Sequence, residues 1–502
     1  MNAQELLQEI SDYCRHTGLA ESTFGRRAVN DGKLASRLRH GGRITTETLD
    51  RIRSFMTNNT NVAARPTVIP RTFDRAAESA AAPAQLAAPR AVPAVTAPML
   101  VPRGAPTPTP GGSSSGGSAP GGPGAPDPQR NFRFFDNRQK YLLFVNTCSE
   151  KWVVAHRVSH ELANIHPRPP ALRVFDAGVG DGTVLVRTMR AMHDRFPHTP
   201  FYIVGKEISL EDVRLATQKM SDRFTEHPAT VLVLTNLAYA DAPWLHVKSM
   251  SAASSMVWHE VALTGSSAHQ FEQQITDLVP FLNETWKAGV SPKTGNPTYE
   301  RPVVLVIYRE DHKFLLDPIL PRPGGTVANY DLVIASQPYR ARASLEFKAK
   351  RVITPLAKAL GPGGRLIAIH SHGHDPGHEI IQSVWPGDNP FLHDRHQIMK
   401  AVKHELGPAG RDLNFNAYAD NRSLFRYDMH TLPSEITQES SIGTSTLFAA
   451  WNAAIYVSQV EDHRVAEAAT DGRYLEATAE VLQKHGGLWF IDESYVISRR
   501  RE

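Results

Sequence analysis

Two cysteines, Cys14 and Cys148, are all that 502 residues contain. They cannot form a disulfide framework and show no zinc-ligand spacing, which excludes small disulfide-stapled scaffolds and points to a reducing compartment, the cytoplasm being expected. Long apolar runs are missing too, so no segment is expected to span a bilayer and no membrane partner is expected. The stretch "MNAQELLQEISDYC" carries Glu5, Glu9 and Asp12 where a secretory leader would need a positive start and an apolar run, so export is not expected. Nor is there a large excess of one charge. The 55 Lys and Arg against 51 Asp and Glu give +4, a balance that permits nucleic-acid binding without announcing it.

What the chain does have is an abrupt change of composition. Residues 58–130 are dominated by Ala, Pro, Gly and Ser, as in "AAPAQLAAPRAVPAVTAP" and "GGSSSGGSAPGGPGAP". Such a stretch buries too little apolar surface to offset its ordering entropy and reads as a disordered linker. It separates a short unit, 1–57, from a large one, 131–502. In the short unit Leu6, Leu7, Ile10, Tyr13 and Cys14 recur at helical spacing, followed by Phe24, Ala28 and Val29, then Leu34 and Leu38, then Leu49, Ile52 and Met56. Four short helices are expected. The third, within "DGKLASRLRHGGR", sets Lys33, Arg37, Arg39 and Arg43 against Asp31 alone. This unit resembles the helix-turn-helix domains of phage-repressor-like regulators, a likeness that implies a third helix in the DNA major groove with Lys33, Arg37 and Arg39 as contacts. The other reading is a small helical bundle whose basic face is solvated or docks a protein.

The large unit alternates apolar strand-like runs with helical patterns, which argues an α/β fold with a mostly parallel sheet. "RVFDAGVG" reads as the first strand and turn, "FYIVGKEIS" as the second and "ATVLVLTN" as the third. "YDLVIASQPY" and "GGRLIAIHS" follow as two more, and "GGLWFIDESYVISRRR" as two strand-like pieces around Asp492 and Glu493.

The glycines of "DAGVGDGTVL" require a ligand that tolerates carboxylates. A triphosphate loop would need a terminal Lys followed by Ser or Thr, and none is there. A dinucleotide fingerprint is G-x-G-x-x-G with pyrophosphate on the helix N-terminus. The spacing here is G-x-G-x-G, with Asp176 before the glycines and Asp181 among them. A ligand with an ammonium and no phosphate suits those charges, and S-adenosylmethionine is such a ligand. Glu207, at the end of the second strand, is placed to accept ribose hydroxyls. In order and spacing these segments resemble the class I, Rossmann-like S-adenosylmethionine-dependent methyltransferases: "DAGVGDG" matches their first motif, Glu207 their acidic second motif, and "LGPGGRLIAI" their fifth-strand motif. The resemblance implies S-adenosylmethionine as cofactor, Asp176, Gly178, Gly180 and Gly182 around its methionine moiety, and Asn236 near its adenine.

"ASQPYRAR" ends the fourth strand, where that family places its acceptor. It resembles the D/N/S-P-P-Y/F/W tetrapeptide of amino-group methyltransferases in Ser336, Pro338 and Tyr339 but carries Gln337 in place of the first proline, a departure expected to loosen the turn. The likeness implies that Ser336 and the Gln337 carbonyl hold an amino group while Tyr339 stacks on a planar acceptor, such as a flipped base. An ordinary polar strand terminus remains the other reading. Residues 242–329 form an insertion relative to the shortest family members: a target-recognition element, a lid, or an arm that would make a homodimer. The run "IHSHGHDPGHE" groups His370, His372, His374 and His378, which invites a metal or a general base, but a polar loop with no metal is expected. In "FFDNRQKYLLF", Phe134, Phe135 and Tyr141 are candidates to fold over a cofactor.

The reading is a methyltransferase tethered to a DNA-binding domain, acting on a nucleobase amino group or, equally, on a small molecule or protein side chain. A transcriptional regulator with a cofactor-sensing domain is the rival of a different class.

Overall fold

The computed structural model describes residues 3–17, 21–29, 31–39, 46–58, 138–291, 297–430, 436, 442–470 and 472–501. The linker expected over 58–130, with Phe134, Phe135 and Arg43, lies outside them except for Asn58. The chain divides into two units, Met1–Ser114 and Ser115–Glu502.

In the first unit four helices, α1 (Ala3–Thr17), α2 (Glu21–Val29), α3 (Leu34–Arg39) and α4 (Thr46–Asn58), bury Leu6, Ile10, Phe24, Leu38 and Ile52 in one core. Phe24 meets Tyr13 and Phe55 edge-on, each with ring centroids 5.5 Å apart. The turn from α2 to α3 is set by Gly25. Its carbonyl accepts the Asp31 N–H at 3.0 Å, and a Cβ there would lie 2.2 Å from the Asp31 carbonyl oxygen. Any side chain would push the two helices apart.

The second unit is a mixed α/β domain. Its strands are β1 (Leu172–Asp176), β2 (Phe201–Lys206), β3 (Thr230–Thr235), β4 (Val257–Leu263), β5 (Ala288–Val290), β6 (Pro297–Tyr299), β7 (Val303–Arg309), β8 (Tyr330–Ser336), β9 (Leu360–Ser371), β10 (Leu413–Asn416), β11 (Leu424–Asp428) and β12 (Trp489–Arg499). The main sheet runs β10-β12-β9-β8-β1-β2-β3-β7-β4, with β11 beside β12 and β5-β6 a separate ribbon. Strands β9, β8, β1, β2 and β3 are parallel, as the alternation of strand and helix implied. Both faces of β2 and β3 are buried, which is why they read as continuous apolar runs rather than alternating ones.

Region 242–329 supplies an edge of this sheet. β7 pairs antiparallel to β3, and β4 pairs parallel to β7. Phe271, Ile275, Leu278 and Trp286 from the same region join the core under β1 to β3, so this stretch is part of the domain's packing and not a separate arm. The C-terminal run is one strand, not two pieces: β12 pairs along its length with β9, β10 and β11. Asp492 and Glu493 sit inside it fully buried, tolerated because residues of other elements meet them. Among the described residues no helix is long and apolar enough to cross a membrane.

Candidate active site

From β1 the chain passes outward through β2 and β3, then returns to the other side of β1 as β8 and β9. The crevice at the C-terminal ends of β1 and β8 is therefore a topological switch point, where open parallel sheets leave room for ligands. The glycine loop is fastened there on both sides. The Ala177 N–H donates to Ile334 O of β8 at 2.8 Å, and the Val179 N–H to Lys206 O of β2 at 3.0 Å.

The three glycines have different reasons to be glycine. Gly182 (φ +82°) opens the helix Thr183–Arg195, and a Cβ would come 2.8 Å from Ala216 Cα. Gly180 has φ +55°, a region that costs other residues energy. Gly178 has neither constraint: the nearest atom to its would-be Cβ is the Ser336 carbonyl oxygen, at 3.9 Å. Among the described residues nothing accounts for its missing side chain.

The carboxylates expected around this loop are in place, with different surroundings. Asp176 accepts the Gly178 N–H at 3.1 Å through Oδ1, while its buried Oδ2 has no hydrogen-bond partner. Burial pushes its carboxyl up to about 7. Glu207 accepts three backbone N–H groups, from Gly180 at 2.8 Å, Ile208 at 2.7 Å and Ser209 at 2.8 Å. Burial, with Asp212 nearby, raises its carboxyl. Asp181 is spent on the chain itself, taking Lys219 Nζ and Thr183 Oγ1 at 2.5 Å each. Tyr141, a candidate to fold over a cofactor, lies against this loop, its hydroxyl accepting the Asp181 N–H at 3.3 Å. Asn236 has both ends of its amide on the backbone leading into β7: it donates to Arg301 O at 2.9 Å and accepts from Val303 N at 2.8 Å.

Sequence reasoning missed Lys151. Its ammonium, on the helix Glu150–Ser159, lies 3.3 Å from Glu150 Oε2 and close enough to Asp176 and Asp181 to bias both toward the ionised form.

Ser336 ends β8, so the tetrapeptide sits beside the glycine loop. Gln337 does not loosen the turn, contrary to expectation. It adopts φ +47°, its N–H donates to Ile369 O at 2.8 Å, and its side-chain amide donates to Asp492 Oδ1 and Ser371 Oγ at 3.2 Å each. Its side-chain carbonyl accepts the Ser371 N–H at 3.3 Å. The Pro338 carbonyl accepts the Tyr239 hydroxyl at 2.7 Å. Tyr339 is buried, its hydroxyl 3.5 Å from that of Tyr495.

A small pocket, with room for about one water molecule, lies here, lined by Gln337, Tyr339, Lys348, His370, Phe391 and His393, among others. His370 Nε2 lies 3.3 Å from Glu493 Oε2, and Glu493 takes both the backbone N–H (2.7 Å) and the guanidinium (2.5 Å) of Arg395. Burial would raise Glu493, but His370 and Arg395 hold it down to about 2. His372, His374 and His378 run on beyond β9, with His378 in the helix Pro376–Val384. Among the described residues no three His, Cys, Asp or Glu form a group able to hold a metal ion.

In the first unit, Arg37 pairs with Asp31 at 2.7 Å and Arg39 pairs with Glu21. Lys33 is exposed at the start of α3, and Arg26 and Arg27 are exposed at the end of α2.

No family model matches the sequence, and no curated protein does. Among solved structures the chain is similar to a geranyl diphosphate methyltransferase in complex with GPP and sinefungin (12% identity, 69% of this chain and 78% of that one, TM-score 0.27). It is also similar to a putative sarcosine dimethylglycine methyltransferase from Galdieria sulphuraria (8%, 70% and 85%, 0.29) and to the plantazolicin methyltransferase BpumL in complex with SAH (8%, 74% and 92%, 0.29). Superpositions this loose carry no weight beside the chain's own residues.

Proposed function

We propose that the second unit is an S-adenosylmethionine-dependent methyltransferase whose acceptor approaches over Ser336–Tyr339. The observation that carries this is Gly178. Among the described residues nothing requires its missing side chain; it stands at the switch point, 3.9 Å from the Ser336 carbonyl oxygen as measured from a would-be Cβ, and two residues after Asp176, whose buried Oδ2 has no hydrogen-bond partner among them. A ligand with a cationic end lying along the loop would use both features. Asp176 would face its ammonium, Lys151 its carboxylate, and the lone pairs that Glu207 retains its ribose hydroxyls. When bound, the cofactor supplies an electrophilic methyl group, and transfer is an in-line displacement. The chain's part is to align the acceptor, exclude water and, at His370, take a proton where the acceptor must lose one.

S-adenosylhomocysteine should bind the full chain, and Glu207→Gln should weaken it by ten- to a hundredfold, the cost of charge-assisted hydrogen bonds at about 1.5 to 3 kcal/mol. Calorimetry finding no heat with the wild-type protein would remove the cofactor, and the methyltransferase with it.

A DNA-binding role for the first unit is a second reading, favoured by its exposed cations. Arg26, Arg27 and Lys33 make no ion pair with a described residue, whereas Arg37 and Arg39 each have an internal carboxylate. If the unit binds duplex DNA, replacing Arg26 and Arg27 with Ala should lower the slope of log affinity against log salt by about two. Replacing Arg37 and Arg39 should lower it by less. Fluorescence anisotropy across a salt series checks this, and equal slopes for wild type and both variants would refute it.

A further inference from the structure

Region 242–329 meets the crevice at the ends of β2 and β3 in two places. The first is Trp286, which follows the helix Val279–Thr285 and is 1% exposed in the core that Phe271, Ile275 and Leu282 share with β1 to β3. Its indole Nε1–H donates to Glu207 O at 3.0 Å. The second is the stretch entering β7, where Asn236 bonds Arg301 O and the Val303 N–H and the Thr235 hydroxyl donates to Val303 O at 2.7 Å.

The two places are linked by the way the β2–β3 ladder ends. In a parallel ladder a residue donates its N–H to one residue of the neighbouring strand and accepts, at its carbonyl, the N–H of the residue two further on. Glu207 donates to Thr235 O at 2.9 Å, so its carbonyl would take the Leu237 N–H. That N–H turns instead to Thr235 Oγ1, at 3.4 Å, within a turn fastened to β7. The Glu207 carbonyl is left at the end of the ladder in a buried position, where going unpaired costs free energy. The Trp286 indole supplies the donor.

This bond bears on the carboxylate as well as on the backbone. The peptide unit whose carbonyl Trp286 holds is the one whose N–H, that of Ile208, donates to Glu207 Oε1 at 2.7 Å. Because a trans peptide is planar, with its C=O and N–H pointing opposite ways, fixing one fixes the other. Trp286 thus grips one side of the plane and the Glu207 carboxylate the other.

We propose that Trp286 is a positioning residue for the cofactor: by holding the Glu207–Ile208 peptide, it sets the direction in which the Glu207 carboxylate meets the ribose hydroxyls. This rests on the methyltransferase reading. It gives region 242–329 a part in the cofactor site beyond its part in the sheet.

Two substitutions separate the donor from the bulk. Trp286→Phe keeps a large ring and loses the N–H, while Trp286→His keeps a ring N–H at the corresponding place of a five-membered ring and loses the fused benzene. In calorimetry on the full-length protein, Trp286→Phe should weaken S-adenosylhomocysteine about tenfold. Trp286→His should bind it more tightly than Trp286→Phe even though, having lost more core volume, it should melt lower. In a Glu207→Ala background, Trp286→Phe should cost no more than about twofold, since an effect exerted through the carboxylate disappears with it. Equal affinity in wild type and Trp286→Phe overturns the proposal. So does an affinity that follows ring size, with Trp286→His the weakest, or a Trp286→Phe loss carried in full into the Glu207→Ala background, because either makes the residue structural only. Should neither variant fold, wild type labelled with 15N-tryptophan decides: S-adenosylhomocysteine should shift at least one of the seven indole N–H signals and shift it less in Glu207→Gln, and indoles that do not respond overturn the proposal. Wild type that binds no S-adenosylhomocysteine removes the methyltransferase reading and this proposal together, whereas the other adverse outcomes, with wild type binding, remove this proposal alone.

Discussion

Asparagine at position 176 should stabilise the protein at pH 8 relative to pH 4 by up to about 4 kcal/mol more than any change the wild type shows over that range. In the folded chain Asp176 is buried with one oxygen unpartnered, and burial puts its carboxyl near 7, against ~3.9 in the unfolded chain. Between those two values the folded protein holds a proton that the unfolded protein has released. Raising the pH therefore favours unfolding through this group, the penalty growing from pH 4 and levelling off above pH 7, at about 1.36 kcal/mol for each pH unit between. Asparagine has no charge to desolvate and can still accept the Gly178 N–H, so the penalty disappears. Paired urea melts at pH 4, 6 and 8 cancel the other titrating groups, and parallel stabilities for the two proteins would contradict the account. The same residue should report the cofactor. A cationic group beside Asp176 favours its ionised form, so S-adenosylhomocysteine binding near pH 6.5 should release a proton from the wild type that Asp176→Asn does not release.

What could be read in the sequence was what lies close together in it. The glycine loop and Asp176 form one short run, and Glu207 ends the next strand, so a local pattern carried both. Lys151 could not be found that way, because it precedes β1 on a helix whose only special feature is where it packs. Asp492 and Glu493 misled for a related reason. Two adjacent carboxylates look like a break between strands, and it is partners from distant segments, among them Gln337, His370 and Arg395, that make them tolerable inside β12. Region 242–329 held recognisable apolar runs, but that β7 would turn antiparallel against β3 depended on pairing partners. Lys348 in "LEFKAKRV" has the look of an ordinary solvated lysine. It is nevertheless buried, on the π-helical turn Phe347–Ile353, and no spacing announces either.

Gln337 is where local resemblance and structure part most sharply, and proline there should cost about 3 kcal/mol or more. The proline of the related tetrapeptide fixes φ near −65°, whereas Gln337 stands at +47° and uses its N–H to bond Ile369 O. Gln337→Pro would forbid that conformation, delete that donor, and remove the side-chain amide from Asp492, a carboxyl that burial already drives well above its ordinary range, with Glu150 and Asp375 adding to the effect. Gln337→Gly separates these terms. Glycine accepts positive φ and keeps the N–H, so it loses only the side-chain bonds and should be the milder change. The order of stability should run wild type, then Gln337→Gly, then Gln337→Pro, in urea melts at pH 7. A Gln337→Pro protein as stable as wild type would mean that the loop can take the proline-bearing turn after all.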